Sequence, residues 1–468
     1  RVVATKKRGL IVTADKVPSV CSVHKLLLRL FSTVHTPVCL LYRLSLIYFN
    51  MRRFLYFAVL LFLASCQEII EAPVPNLAWE AFDSPDAMPL TPAQRKALEG
   101  VYAVSRQEDD FGKEAALKWT YVAAEKDTTF YLSFFCAEDV RYFICQGKKK
   151  DSAILLNGYW RNVENTKTGK AHFTITAAEG AGRILNSDTS RAIMISGTIG
   201  KGDDEPEKKI SFTYLRPLYG KKPYYLVAHR GGGRNNDLLP ASENSVEMIP
   251  LAAQLGANGI EIDVQLTKDG VPVLFHDARL NDRLTEKTGI HGKMDEYTWD
   301  ELVKEVKLKR GGKVPSLEQA LQTVLYKTPL EFVWLDCKYK TVIPVVRKLQ
   351  AEFLRKADSA HRKLEIVIGL PDEEVMGAFM QLPDYKNIPS LCELDTTKAT
   401  QVNAQIWAPS WTKGLQDDVV GAIQAKGKQS IVWTVDVPDK IKECIYKGRF
   451  NGLCTNRPTM AAYYYYAQ

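Results

Sequence analysis

The sequence predicts an α/β protein, a (β/α)8 barrel of the TIM type preceded by a small antiparallel β-barrel or β-sandwich domain. Two observations carry that prediction. From Tyr224 onward, eight short apolar runs (YYLVAH, GIEIDVQL, LEFVWLDCKY, LEIVIGL, SLCELD, QIWAPSW, SIVWTVD and GLCTNR) occur with helical periods between them. Between about residues 93 and 218, runs of β-branched and aromatic residues such as TTFYLSFF, AILLNGYW and KISFTYL are broken by Gly, Asn, Asp and Lys. Their spacing suits about six to eight antiparallel strands.

The N-terminal part reads differently. The chain of 468 residues has a net charge of +8, but residues 1–50 hold eight Lys/Arg against one Asp, and Arg52 and Arg53 follow, which leaves the remainder at −1. The basic excess therefore belongs to the leader and gives no reason to expect a nucleic-acid partner. The first methionine is Met51, and residues 1–50 read as upstream sequence outside the translated protein. MRRFLYFAVLLFLASC, residues 51–66, has two arginines, a short apolar run and small residues before a cysteine, the pattern of a secretory signal. Its ending, LASC, resembles the bacterial lipobox, which implies that Cys66 becomes a lipid anchor and that the protein sits in the bacterial cell envelope, held to its membrane. Residues 67–92, rich in proline and acid, read as a tether.

Of the nine cysteines, Cys136 and Cys145 lie in adjacent strand-like runs and are the pair that export would allow to form a disulfide; unpaired core thiols are the alternative. There is no CxxC or Cys/His cluster of the kind that holds zinc. The β-rich domain, residues 93–218, offers no chemistry. Its single histidine, His172, reads as a surface strand residue, and its ligand, if it is a binding module, is unknown.

In the barrel, residues 223–468, helices are expected over 245–255, 316–325 and 342–355. VPVLFHD follows GIEIDVQLTKDG too closely for a parallel crossover. It is expected to fold back at Asp269-Gly270 as a hairpin on the second strand, with opposed residue numbers summing to about 537 and His276 beside Glu261.

Reactive residues of such barrels stand at the C-terminal ends of the strands. Here those ends are polar: His229-Arg230 on the first, Glu261 and Asp263 on the second, Asp336 and then Lys338 on the third. Glu261 and Asp263 are two apart and point the same way, so they repel unless a cation lies between them, and a hard divalent cation asks for a third acid. The glycines of VAHRGGGRNNDLLPASENS let backbone N–H groups approach an anion, and Arg234 and Asn235 in the same loop could reach a phosphate or polar head group.

HRG (229–231), SEN (242–244), GIEIDVQLTKDGVPVLFHD (259–277), VPSLEQAL (314–321), VWTVD (432–436) and GLCTNRP (452–458) together resemble the glycerophosphodiester phosphodiesterase family over about residues 224–463. The resemblance implies hydrolysis of a small-molecule glycerophosphodiester to glycerol phosphate and an alcohol with one divalent cation, Ca²⁺ or Mg²⁺. It implies His229 and His276 as general acid and base, Glu261, Asp263 and Asp336 as metal ligands, and Arg230 and Lys338 as phosphate contacts. Glu243 is implied in or next to the metal shell. Two departures from the family pattern are Asp336, where a glutamate is usual, and Ser242, where a proline is usual. Two rival readings are a phospholipase acting on lyso- or intact phospholipid and an inactive envelope binding protein.

Overall fold

The structure is a computed structural model that describes residues 71–137, 141–186, 192–232, 238–286 and 288–468. Residues 1–50, the signal stretch with Cys66, and Arg234 and Asn235 lie outside the described residues.

The first sheet comprises β1 (Met88–Pro89), β2 (Gly100–Ser105), β3 (Glu114–Ala123), β4 (Thr128–Cys136), β5 (Arg141–Lys150), β6 (Ala153–Asn162), β7 (Thr168–Ile175), β8 (Met194–Ile199) and β9 (Lys208–Arg216). Strands β2 to β9 each pair antiparallel with the next, and β9 pairs with β2, which closes an up-and-down barrel and removes its edges. Phe134 lies 5.4 Å, ring to ring, from both Phe143 and Phe173 and 5.0 Å from Phe212, so the interior is a packed aromatic core.

Sequence patterning overlooked β2 and β3. EAALKWTYVA opens with strong helix formers, but continuous pairing with β4 from Ala115↔Cys136 to Ala123↔Thr128 overrides that local preference.

Cys136 and Cys145 are not joined in a disulfide, and both are buried. The register explains it, since Cys145 faces Leu132 while Cys136 faces Ala115. Residues 71–92 lie along this barrel, where a free tether was expected. Trp79 stacks on His172 with ring centroids 4.4 Å apart, Phe82 is buried, and Asn157 Nδ2 donates to the Leu77 carbonyl at 2.6 Å.

The second sheet contains β10 (Tyr225–Ala228), β11 (Gly259–Leu266), β12 (Pro272–Leu274), β13 (Phe332–Cys337), β14 (Glu365–Leu370), β15 (Ser390–Cys392), β16 (Ile406–Trp407), β17 (Gln429–Val432) and β18 (Gly452–Thr455). Eight of these are parallel and close through β10–β11 and β10–β18, the (β/α)8 barrel expected. The three expected helices are Met248–Gln254, Leu317–Lys327 and Ile343–Ser359.

β12 is the antiparallel hairpin partner of β11, but one residue out of the expected register. The pairs are Val264↔Leu274, Gln265↔Val273 and Leu266↔Pro272. The loop is the cause: Thr267 N–H donates to the Val271 carbonyl and Gly270 N–H to Thr267, with Gly270 at φ 80°, so the turn centres on Asp269. Phe275 N–H adds one more bond in the same register, to the Asp263 carbonyl at 3.1 Å, and His276 does not pair with Glu261.

The two barrels share a core. Val101, Ala116 and Phe135 of the β domain belong to the same buried cluster as the barrel helices, and Tyr142, Ile144 and Tyr159 pack with Leu239, Met248 and Leu251. Gly256, at φ 94°, permits the closest approach, because a Cβ there would lie 2.4 Å from Ala462 and 2.8 Å from Phe135. Two polar contacts reach further toward the barrel mouth. Arg161, fully buried, donates to the carbonyls of Leu238 (3.3 Å) and Pro73, and Glu164 pairs with Arg457 at 3.0 Å.

A shared core makes the two barrels one cooperative unit. Calorimetry of residues 67–468 should give one unfolding transition, and Phe135→Ala should lower stability by about 3–5 kcal/mol while keeping it single. Two resolved transitions would mean that the domains fold independently.

Candidate active site

Inside the parallel barrel, side chains alternate with a period of two. Val227, Trp334, Leu391, Ile431 and Cys454 form the interior cluster. Two residues further toward the C-terminal end, His229, Asp336, Glu393, Trp433 and Asn456 therefore face the same inner wall, at the mouth. Glu261 is in register with Trp334 and Asp263 with Asp336, which brings the second and third strands' acids side by side.

Glu261, Asp263 and Asp336 each place a carboxylate oxygen within 4.8 Å of the other two. Burial, and then the charges of Asp263 and Asp336, push Glu261 well above the usual carboxylate range. Burial also raises Asp336, despite Lys338, with Asp263 adding to the rise. For Asp263 burial is outweighed by Lys338, His276 and Arg230, and its pKa is lowered. Lys338 Nζ lies 2.7 Å from Asp263 Oδ1 and also bonds Asp336 Oδ2; these acids raise its pKa against the effect of burial. Glu261 Oε1 and Asp336 Oδ1 are buried without a hydrogen-bond partner among the described residues. Three hard oxygen donors, two of them orphaned, fit a divalent cation such as Ca²⁺ or Mg²⁺.

The loops after β10 and before the first barrel helix lock this cluster in place. Arg230 and Asn244 both adopt left-handed backbone, at φ 56° and 55°, and Asn244 N–H donates to the Arg230 carbonyl at 2.9 Å. That conformation aims Arg230 N–H at Glu261 Oε2 (2.7 Å). Asn244 grips Asp263 twice, donating from Nδ2 to Oδ2 at 2.6 Å and accepting from its backbone N–H at 3.1 Å. The Arg230 guanidinium donates to Glu243 at 2.9 Å, while its Nε is buried, has no hydrogen bond among the described residues, and lies 4.0 Å from Asp263.

His229 Nδ1 lies 2.8 Å from Asn456 Oδ1, and Asn456 Nδ2 donates to Asp436 Oδ2 at 2.6 Å. A carboxylate only accepts, so the Asn456 amide can be oriented in one way, and His229 must donate from Nδ1. Its Nε2 keeps the lone pair, 3.8 Å from Glu261. Burial, helped by the Arg230 charge, lowers the imidazole pKa to about 4, so the ring is neutral near pH 7. His276 Nδ1 bonds Asp277 at 2.7 Å, leaving Nε2 as its free nitrogen. Asp277 is held well below the usual carboxylate range: burial opposes its charge, but bonds from Arg283, His276 and Asn281 prevail.

Each site residue named from sequence among the described residues thus lies at the mouth, in differing company. Glu243 stands between Arg230 and Arg283 and is not one of the three clustered acids. Lys338 sits on two of the acids. Sequence reasoning missed Asn244, Asp277, Arg283, Asp436, Asn456 and Glu393. Four of these lie inside the quoted motifs without a role assigned, and Glu393 had only its place in SLCELD as a signal. Burial, and then the charge of Asp336, raise Glu393 well above the usual range.

An acidic cluster, two imidazoles and an arginine at the mouth of a (β/α)8 barrel define an enzyme fitted for cation-assisted acid–base chemistry. Residues 229–460 match the glycerophosphoryl diester phosphodiesterase family, and the barrel of this chain belongs to it. A glycerophosphodiester phosphodiesterase of Caldanaerobacter subterraneus subsp. tengcongensis is 24% identical over 243 residues, 50% of this chain and 94% of that protein. A glycerophosphocholine phosphodiesterase of Eremothecium gossypii is 38% identical over 94 residues, 19% of this chain, and the match spans only 6% of the fungal protein. A solved glycerophosphodiester phosphodiesterase of Parabacteroides distasonis aligns with 23% identity and a TM-score of 0.41, over 52% of this chain and 96% of that one.

The Asn456 contact predicts a tautomer. In Asn456→Leu, the His229 ring loses its Nδ1 acceptor, and ¹⁵N NMR of the imidazole should show the Nδ1–H form giving way to a mixture. Turnover should fall roughly 10²-fold, approaching that of His229→Ala. An unchanged tautomer would show that Asn456 does not orient the ring.

Proposed function

We propose that this protein hydrolyses glycerophosphodiesters to glycerol phosphate and an alcohol, using one divalent cation. The observation that carries the proposal is the pair of orphaned carboxylate oxygens, on Glu261 and Asp336, beside His229 in a barrel of this family. The activity named for the Caldanaerobacter relative, which the chain matches over nearly its whole length, supports the same reading.

His229, neutral and with its Nε2 lone pair free, is the base that takes the proton of the attacking hydroxyl, whether of water or of the glycerol hydroxyl next to the phosphate. His276, bound through Nδ1 to Asp277, gives a proton from Nε2 to the leaving oxygen as the phosphorus–oxygen bond breaks. Arg230, braced on Glu243, offers its unused Nε to a phosphoryl oxygen. A cation held by Glu261, Asp263 and Asp336 would supply positive charge for the phosphoryl oxygens. Lys338, paired with Asp263 and Asp336 at the same mouth, would add a second positive group for the phosphate.

The lipobox-like LASC supports a place for the enzyme on a bacterial envelope membrane, anchored through Cys66. No helix among the described residues is long and apolar enough to cross a membrane.

Chelation should abolish hydrolysis of glycerophosphocholine, and Ca²⁺ or Mg²⁺ should restore it. Asp336→Ala should raise the cation concentration giving half-maximal activity by roughly 10-fold or more. Full turnover in excess EDTA would remove the cation from the reaction. For the anchor, Cys66→Ala should move the protein from the detergent to the aqueous phase in a phase-separation assay; unchanged partitioning would sink the lipoprotein reading.

A further inference from the structure

Glu393 is a carboxyl group at the mouth that the chemistry above does not use. It follows β15, two residues beyond Leu391, whose side chain is in the barrel interior, so Glu393 faces inward one layer higher. Its Oε1 is buried and has no hydrogen-bond partner among the described residues. Between β13 and β15 runs β14, whose residue in register with both Asp336 and Leu391 is Gly369. Beside Asp336, on the side toward β15 and one layer below Glu393, the barrel wall therefore carries no side chain. A Cβ at Gly369 would come within 2.5 Å of the Trp334 indole nitrogen, so glycine keeps this wall thin.

An orphaned carboxyl oxygen in a mouth that binds a phosphodiester calls for a donor on the substrate, because a buried polar atom left unpaired disfavours the bound state. Two chemistries could supply one, a hydroxyl or an ammonium. Every glycerophosphodiester carries a glycerol hydroxyl that can donate to the orphaned oxygen, whereas an ammonium is present in only some of them.

We propose that Glu393 receives a hydroxyl of the substrate's glycerol moiety and so determines specificity for glycerol-bearing diesters. The inference rests on the glycerophosphodiesterase reading and deepens it. A substrate that lacked the hydroxyl would leave Glu393 unpaired in the bound state, and for that reason would be discriminated against.

The test uses the full chain with its cation and glycerophosphocholine as substrate. Competitive inhibition constants are measured for glycerol 3-phosphate and for inorganic phosphate. In Glu393→Ala, glycerol 3-phosphate should weaken roughly 10-fold or more while inorganic phosphate is unchanged, and Glu393→Gln, which keeps a donor and an acceptor, should restore most of the difference. A merely structural role would weaken both inhibitors alike, and that result overturns the proposal. So does an Ala variant with unchanged constants. Comparing kcat/KM on glycerophosphocholine with that on glycerophosphoglycerol separates the remaining possibility: a loss confined to the choline diester, and equal in Ala and Gln variants, would make Glu393 an ammonium site instead. Wild-type protein with no activity on either diester would overturn the reading of the site as a glycerophosphodiesterase, before Glu393 is tested at all.

Discussion

Three carboxylates crowded at the mouth of one barrel are the constraint around which the rest is arranged. Two unit charges about 4 Å apart repel by about 4 kcal/mol at the effective dielectric of a protein site, and here three acids share one small volume. Lys338 offsets part of that repulsion, and the pKa of Glu261 rises in response to the rest. The left-handed backbone at Arg230 and Asn244 belongs to the same problem, since it is what turns an N–H toward Glu261 and an amide onto Asp263. A site that stores this much unfavourable charge is built to be relieved by a cation.

The histidines are set by a second layer of fixed partners. Asp436 orients Asn456, and Asn456 orients His229; Arg283 holds Asp277, and Asp277 holds His276. In each case a group that can only accept or only donate removes an ambiguity in the next, until the ring nitrogen left free is defined. Arg283 also reaches Glu243, which braces Arg230, so Arg230 and the His276 arm share one support.

The β domain takes part in that support. Through Arg161 it holds the Leu238 carbonyl at the end of the loop that begins with the HRG motif, and through Glu164 it holds Arg457, the neighbour of Asn456. Its interior is filled with phenylalanine, and its outer face is buried against the first barrel helix. The domain thus acts as a buttress for the mouth, a role that its own sequence, devoid of recognisable chemistry, did not suggest.

By itself the sequence determined the strand count of the parallel barrel, the hairpin on its second strand, and the acids, histidines and arginine of the mouth. These follow from period and spacing, which are local properties: residues two apart on a strand share a face wherever the strand lies. It did not determine β3, because EAALKWTYVA prefers a helix until the nine-residue partner strand β4 is present. The hairpin register was missed by one residue because hydrogen bonds within the Thr267–Val271 loop, rather than the Asp-Gly pair alone, set the turn. Nor could it find the Cys136 and Cys145 separation, the clamp of two arginines on Glu243, or the chain from Asp436 to His229. Each of these joins residues far apart in sequence, and only the closed barrels bring such residues within hydrogen-bonding distance.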